Sequence, residues 1–160
     1  MIRRQALSDS PRAMLVASTG GHLAQLMRLE PWWREHERTW VTFDKADARF
    51  HLQHESDVVH AHHPTTRNLP NAARNMLLAY RLMRSRRPDI VVSTGAGVAL
   101  PFFLAARMLA VPTVYIEVYD RVRTRTLTGR LCRHLSTSFL VQWPGQMDLY
   151  PGSTLVGPLL

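Results

Sequence analysis

The sequence predicts an α/β fold, an open, doubly wound and mostly parallel sheet, on three observations. Apolar runs of strand length alternate with segments of helical period along the chain, the pattern of strands joined by crossover helices. Proline marks the joints: Pro88 with Asp89, and Val111 with Pro112, each close a helical segment ahead of an apolar run. Two glycine-rich loops, Ser18-Thr19-Gly20-Gly21-His22 and Ser93-Thr94-Gly95-Ala96-Gly97, each leave an apolar run and open a helical pattern. In such a sheet ligands bind in the crevice outside the carboxyl ends of the strands, where both loops would lie.

In order, strands are predicted over residues 14–18, 39–43, 57–61, 89–93, 113–116 and 139–142, and helices over 22–33, 68–86 and 98–109. Residues 44–56 read either as a short helix or as an irregular connection. Residues 60–70 hold His60, His62, His63, Pro64 and Pro70 and read as a loop. The segment from Val98 carries Leu100, Pro101, Phe102, Phe103 and Leu104, and a helix apolar on all sides is a buried one. The functional alternative is that Phe102 or Phe103 touches a lipid or a partner.

At 160 residues the chain is one domain's worth, residues 1–160, with residues 1–12 expected to be flexible. The net charge of +8 comes from nineteen arginines and the single Lys45 against twelve acids. A basic surface suits nucleic acid, anionic lipid or a phosphorylated substrate, so position decides. Arg81, Arg84, Arg86 and Arg87 end a helical segment, where cations are favourable in any case. Arg121, Arg123, Arg125, Arg130 and Arg133 alternate with Val122, Leu127, Leu131 and Leu135; this is either the basic, partly apolar surface that meets an anionic membrane or a plain solvated face. With no finger, homeodomain or aromatic RNA-binding signature, nucleic acid is not an expected partner.

Cys132 is the one cysteine, so neither an internal disulfide nor a cysteine metal cluster can form, and a reducing compartment is the simplest inference. The first fifteen residues lack an apolar stretch of signal-peptide length. The longest uncharged run, residues 90–106, contains glycines and a proline and falls short of the ~20 apolar residues of a spanning helix. Membrane contact is therefore expected to be peripheral.

The glycine loops suit an anion or a sugar diphosphate, because glycine lets a ligand approach the backbone and helix-opening amides face the same space. Gly20-Gly21-His22 does not make the dinucleotide fingerprint, and no acid clearly ends the second strand, although Asp44 lies one residue past Phe43 and keeps a cofactor domain open. Neither loop is followed by the Gly-Lys-Ser/Thr of a nucleotide-hydrolysing loop. His22 either caps and packs or, as a neutral imidazole beside a diphosphate, takes a proton from an attacking hydroxyl or orients the phosphates. His51, His54, His60, His62 and His63 match no standard zinc spacing, and neither metal nor cofactor is expected. Glu117 and Asp120 follow the strand ending at Ile116 and could accept hydrogen bonds from ligand hydroxyls, the alternative being ion pairs with Arg121 or Arg123.

Ser18-Thr19-Gly20-Gly21-His22-Leu23, Arg67-Asn68, Arg87-Pro88-Asp89, Ser93-Thr94-Gly95-Ala96-Gly97 with Leu100-Pro101-Phe102-Phe103, Ile116-Glu117, Leu127-Thr128-Gly129-Arg130 and Val141-Gln142-Trp143 occur in that order. Together they resemble the anchoring-subunit family of the two-component UDP-N-acetylglucosamine transferase of asparagine-linked glycosylation, and still more its bacterial counterparts in exopolysaccharide and capsule synthesis. The resemblance runs over residues 14–158. It implies a Rossmann-like sheet equivalent to the N-terminal domain of a GT-B glycosyltransferase such as MurG, with little or no activity alone. A separate subunit would bind the UDP-sugar, and this chain a polyprenyl-diphosphate-linked sugar acceptor, peripherally at the cytoplasmic face of the inner membrane.

By that resemblance His22 and Glu117 are the catalytic candidates. Thr19, Gly20, Gly21, Arg67, Asn68, Thr94, Gly95, Ala96 and Gly97 would bind the acceptor, and Phe102, Phe103, Arg121, Arg123, Arg125 and Arg130 would meet membrane or partner. The eukaryotic relatives carry an amino-terminal membrane helix that is not expected here. A self-sufficient nucleotide- or dinucleotide-binding protein, such as a small oxidoreductase, is the competing reading.

Overall fold

A computed structural model of the chain describes residues 11–160; the expectation for the amino-terminal stretch falls on residues 1–10, outside the described residues, and on Pro11 and Arg12. The Arg12 backbone is fixed, its amide donating to the Asp89 carboxylate at 2.9 Å.

The elements in order are β1 (Ala13–Ala17), α1 (Gly21–Met27), α2 (Glu30–Trp33), β2 (Arg38–Thr42), α3 (Ala46–His51), β3 (Val58–His60), α4 (Leu69–Arg86), β4 (Ile90–Gly95), α5 (Ala99–Met108), β5 (Thr113–Ile116), α6 (Leu127–Cys132), β6 (Ser138–Val141), α7 (Pro144–Leu149) and β7 (Thr154–Leu155). They form one sheet of order β3-β2-β1-β4-β5-β6-β7, parallel at every pairing. The chain winds outward from β1 to β3, then returns to the other side of β1. The switch point lies between β1 and β4, and the two glycine loops leave the sheet there side by side.

The strands are legible because they are covered on both faces. Every residue of β1 is buried, as parallel strands between helix layers must be. Met14 and Val16 join Val91, Phe102, Phe103 and Tyr115 on the side of α4 and α5. Leu15 and Ala17 join Leu23, Leu26, Trp33 and Trp40 on the other side. This period-2 division puts two cores on one sheet.

Phe102 and Phe103 are both 0% exposed. They are core residues and do not contact membrane or partner; α5 carries them inward onto the sheet, and its solvent side presents Leu104, 41% exposed, and Met108, 67% exposed. The helix expected over residues 22–33 is two helices. Pro31 stands in the first turn of α2, and without an N–H it cannot bond back to the Met27 carbonyl at which α1 ends. Residues 44–56 contain a short helix, α3. The arginine-rich segment contains α6, whose N-cap Thr126 accepts from the Gly129 amide. Among the described residues no helix is long and apolar enough to cross a membrane.

Candidate functional site

The two glycine loops are tied to each other. The Ser18 amide donates to the Gly95 carbonyl at 2.8 Å, and the Ala96 amide to Ser18 Oγ at 3.3 Å. His22, half-buried in the first turn of α1, brings Nδ1 to 2.7 Å from the Thr94 carbonyl oxygen. A carbonyl only accepts, so Nδ1 of the neutral ring carries the proton and Nε2 keeps its lone pair. Thr94 Oγ1 donates in turn to the His22 carbonyl at 2.6 Å. Thr94 and Gly95 are themselves buried, so they hold His22 in place and are not part of the cavity lining. A side chain at Gly95, whose φ is +95°, would put its Cβ 3.2 Å from His22 Nδ1 and 3.0 Å from the Tyr115 hydroxyl; only glycine lets the ring lie over this strand end.

Gly20 and Gly21 are exposed, with nothing within 4 Å of where a Cβ would stand. The loop surface is open to a ligand. One of its amides is taken: Gly20 N donates to Asp47 Oδ2 of α3 at 2.6 Å. Sequence reasoning missed Asp47, which is 27 residues from Gly20 and on a segment whose residues read either as a short helix or as an irregular connection; no signal in the sequence joins the two. Asp44, the acid that kept a dinucleotide domain open, bonds Arg49 at 2.6 Å, which holds its carboxyl below the usual carboxylate range.

Beside His22 lies a cavity of about 220 Å³ lined by His22, Ala96, Tyr115, Val118, Asp120, Arg121, Thr126 and Thr128. It opens at the carboxyl edge of the sheet. A cavity of about 330 Å³ at the opposite edge is lined by Arg38, Asp57 and Arg86 among others. Those side chains are already paired, Asp57 with Arg86 and Thr39 and Arg38 with Glu55.

Glu117 is not in the His22 cavity lining, which corrects its expected place there. It is 0% exposed. Its carboxylate accepts from the Val118 amide at 3.0 Å, from the Thr126 hydroxyl at 3.1 Å to each oxygen, and from the Tyr150 hydroxyl. With its oxygens engaged on all sides it is a buried latch joining β5 to the caps of α6 and α7, and it is not placed to take a proton from a ligand.

The segment that follows is held with equal completeness. Gln142 and Gln146, 1% and 0% exposed, reach under it: Gln142 Nε2 donates to the Glu117 carbonyl at 2.9 Å, and Gln146 Nε2 to the carbonyls of Val118 at 2.9 Å and Arg121 at 3.2 Å. The Tyr119 amide donates to Gln25 Oε1 at 3.0 Å, and Trp143 Nε1 to the Tyr119 carbonyl at 2.7 Å. This platform presents Asp120 and Arg121 to the cavity. Beyond it Arg121, Arg123, Arg125 and Arg130 are exposed, interleaved with exposed Val122, Leu127 and Leu131.

Arg67 and Asn68 are not brought into the cavity lining. Arg67 is exposed, and Asn68 Oδ1 caps α4, accepting from the Asn71 amide at 2.9 Å. The loop they end does come close, with Thr65 Oγ1 3.0 Å from where a Cβ on Gly97 would stand. The histidines of residues 51–63 do not converge: among the described residues no group of three or more His, Cys, Asp or Glu is placed to hold a metal ion.

A family model described as "Oligosaccharide biosynthesis protein Alg14 like" matches residues 59–159. The UDP-N-acetylglucosamine transferase subunit ALG14 of Mus musculus is 35% identical over 92 residues, 54% of this chain and 42% of that one. The UDP-N-acetylglucosamine–N-acetylmuramyl-(pentapeptide) pyrophosphoryl-undecaprenol N-acetylglucosamine transferase of Roseiflexus sp. is 34% identical over 119 residues, 72% of this chain and 24% of that one. Among solved structures, Acinetobacter baumannii MurG superposes with a TM-score of 0.77 at 18% identity, over 92% of this chain and 45% of that chain, which shows the fold. The match spans about two fifths of the mammalian ALG14 chains. With the ordered sheet, the paired glycine loops and the family match over most of its length, this chain belongs to the Alg14-like family of oligosaccharide biosynthesis proteins.

Proposed function

We propose that this chain is the acceptor-binding subunit of a two-component glycosyltransferase of bacterial exopolysaccharide or capsule synthesis. It holds a polyprenyl-diphosphate-linked sugar in the cavity beside His22, and a separate polypeptide brings UDP-N-acetylglucosamine or a related UDP-hexose. The observation that carries this reading is the His22–Thr94 bond, which leaves the Nε2 lone pair free on a side chain that lines a cavity together with Arg121 and directly follows the open glycine loop. In the transfer, a hydroxyl of the acceptor sugar attacks the anomeric carbon of the donor. His22 Nε2 takes the hydroxyl proton, and the bond from that carbon to the diphosphate oxygen breaks with its electrons leaving on UDP. Arg121 and the exposed loop amide of Gly21 offer donors for the acceptor's own diphosphate.

Peripheral membrane contact falls to the outer faces of α4 and α5, which pack against one another. Leu77, Tyr80, Arg81 and Arg84 make one helical stripe on α4 and Leu104, Arg107 and Met108 one on α5, all exposed. Interleaved apolar and cationic groups suit an anionic lipid surface. They take the role first assigned to Phe102 and Phe103, alongside the exposed Arg121, Arg123, Arg125 and Arg130.

The test is transfer of radiolabelled sugar from UDP-sugars to a polyprenyl-diphosphate-linked acceptor, by this chain alone and with its partner co-expressed. Activity in the mixture and none with either polypeptide alone supports the reading. No transfer in any arm, with tight binding of a nicotinamide cofactor by this chain alone, overturns it.

A further inference from the structure

We propose that Asp120 determines acceptor specificity: its carboxylate receives ring hydroxyls of the acceptor sugar and turns the attacking hydroxyl toward His22. The proposal rests on the reading of this cavity as the seat of a sugar diphosphate.

The first support is that Asp120 is available. It is exposed on the cavity wall, and it makes no hydrogen bond or ion pair among the described residues, although Arg121 and Arg123 flank it. The ion pair that would account for a carboxylate in this arginine-rich segment is not formed. Glu117, the other acid of the segment, is fully consumed inside the protein. Asp120 is therefore the carboxylate that this strand end offers to a ligand.

The second support is how firmly it is offered. The carbonyls of Val118 and Arg121 both accept from Gln146 Nε2, and the Tyr119 amide and carbonyl are held by Gln25 and Trp143. Burying three glutamines is costly unless every polar atom is satisfied. A solvated aspartate needs no such support, whereas a ligand contact is useful only when its geometry is fixed in advance.

The chemistry of the walls then selects the ligand. Arg121 suits a phosphate, whereas Asp120 repels one. A ligand that satisfies both has an anionic part and a neutral, hydroxyl-bearing part, as a sugar 1-diphosphate does. Two hydroxyls can donate to one carboxylate, and a ligand lacking them leaves the charge unpaired, the arrangement that discriminates most strongly against a deoxy or missing group.

Titration calorimetry of the full chain with methyl diphosphate and with the 1-diphosphates of glucose, galactose, mannose and N-acetylglucosamine tests this directly. The expected result is that at least one hexose 1-diphosphate binds about 10-fold or more tighter than methyl diphosphate. Asp120→Ala should abolish that increment, leaving methyl diphosphate bound as well as before or better, and Asp120→Asn should retain part of it. Because Asp120 has no protein partner to lose, both variants should melt with the wild type. An increment unchanged in Asp120→Ala, or no increment in the wild type, overturns the proposal and leaves the diphosphate seat standing. A wild-type chain that binds none of the diphosphates overturns both.

Discussion

The Nδ1 atom of His22 and the carbonyl oxygen of Thr94 lie 2.7 Å apart, and this bond decides which ring nitrogen carries the proton and which keeps its lone pair. The consequence is directional. Replacing His22 by Ala removes the proposed Nε2 base while leaving the open glycine loop and Arg121 in place. In the reconstituted two-component enzyme, kcat should fall by about 10²- to 10⁴-fold, with the acceptor's KM changed far less. A rise in the acceptor's KM alone, with kcat preserved, would show that His22 orients the diphosphate and takes no proton.

Glu117 provides the contrasting case, because a base and a latch respond differently to the same substitution. Glu117→Ala orphans the Tyr150 and Thr126 hydroxyls and the Val118 amide inside the protein, and it should cost about 3 kcal/mol or more in chemical denaturation. Glu117→Gln keeps the shape and one accepting oxygen. Its folded fraction should transfer sugar within about 10-fold of wild type, whereas removal of a general base costs 10² or more. Loss of kcat on that scale in a well-folded Glu117→Gln protein would reinstate it as the base.

Two glycines should separate folding from binding. At Gly129 a Cβ would lie 2.2 Å from Glu117 Oε2 and 2.7 Å from both the Thr126 and Tyr150 hydroxyls, so Gly129→Ala should destabilise by about 1–3 kcal/mol as the latch is forced apart. At Gly21 nothing lies within 4 Å, and an alanine in the first turn of a helix stabilises by about 0.5–1 kcal/mol. Gly21→Ala should therefore melt at or above the wild-type temperature and, on the proposed seating of the diphosphate at this loop, still lose affinity for methyl diphosphate. Thermal melts and calorimetry on the same two variants check both halves.

The parts of this molecule that could be read from its residues are those where one physical cause dominates locally. Strands buried on both faces are continuous apolar runs, and the expected strands lie within one or two residues of β1 to β6. The glycine loops were legible as a pair because each follows such a run. Three things were not. The break between α1 and α2 turns on Pro31 inside an otherwise helical period. The two-residue β7, at the sheet edge, is too short to carry a pattern. Glu117 is buried by partners nine and 33 residues away and Gly20 is engaged by Asp47 27 residues away, pairings that only the topology brings about. On α5 the residue types pointed correctly to burial, since Phe102 and Phe103 face inward; the alternative that they touch lipid or a partner fails, and the exposed stripe is the less conspicuous Leu104, Arg107 and Met108.

That stripe should govern membrane binding. Leu104→Ser with Met108→Ser removes two exposed apolar side chains from α5 without touching its buried face, and should reduce co-flotation with vesicles containing anionic phospholipid about 10-fold, at about 1.4 kcal/mol per factor of ten, leaving the melting temperature within a few degrees. Raising salt should weaken the wild-type interaction too, through Arg81, Arg84 and Arg107. Flotation equal to wild type in the double variant would remove this face from the membrane.

Alkaline pH should expose the buried network around Glu117. Burial pushes the Cys132 thiol up to about 12 from its ordinary 9.0, with the Glu117 charge adding to it. Burial first, then Glu117, likewise raises the phenols of Tyr115 and Tyr150 above their ordinary 10.0. All three shifts are upward, so the unfolded chain releases these protons first and the folded chain holds them. The stability they contribute is complete below about pH 9 and declines as pH rises from there toward the folded values. Melting temperature should be flat between pH 7 and pH 8.5 and fall by several degrees by pH 10.5, with tyrosinate absorbance appearing at the melt. At pH 8 Cys132 should resist iodoacetamide in the native protein and react once denaturant is added, since the thiolate is the nucleophile. A melting temperature that holds steady to pH 10.5, or a native thiol alkylated within minutes, would mean that β5, α6 and α7 do not close over Glu117 as described.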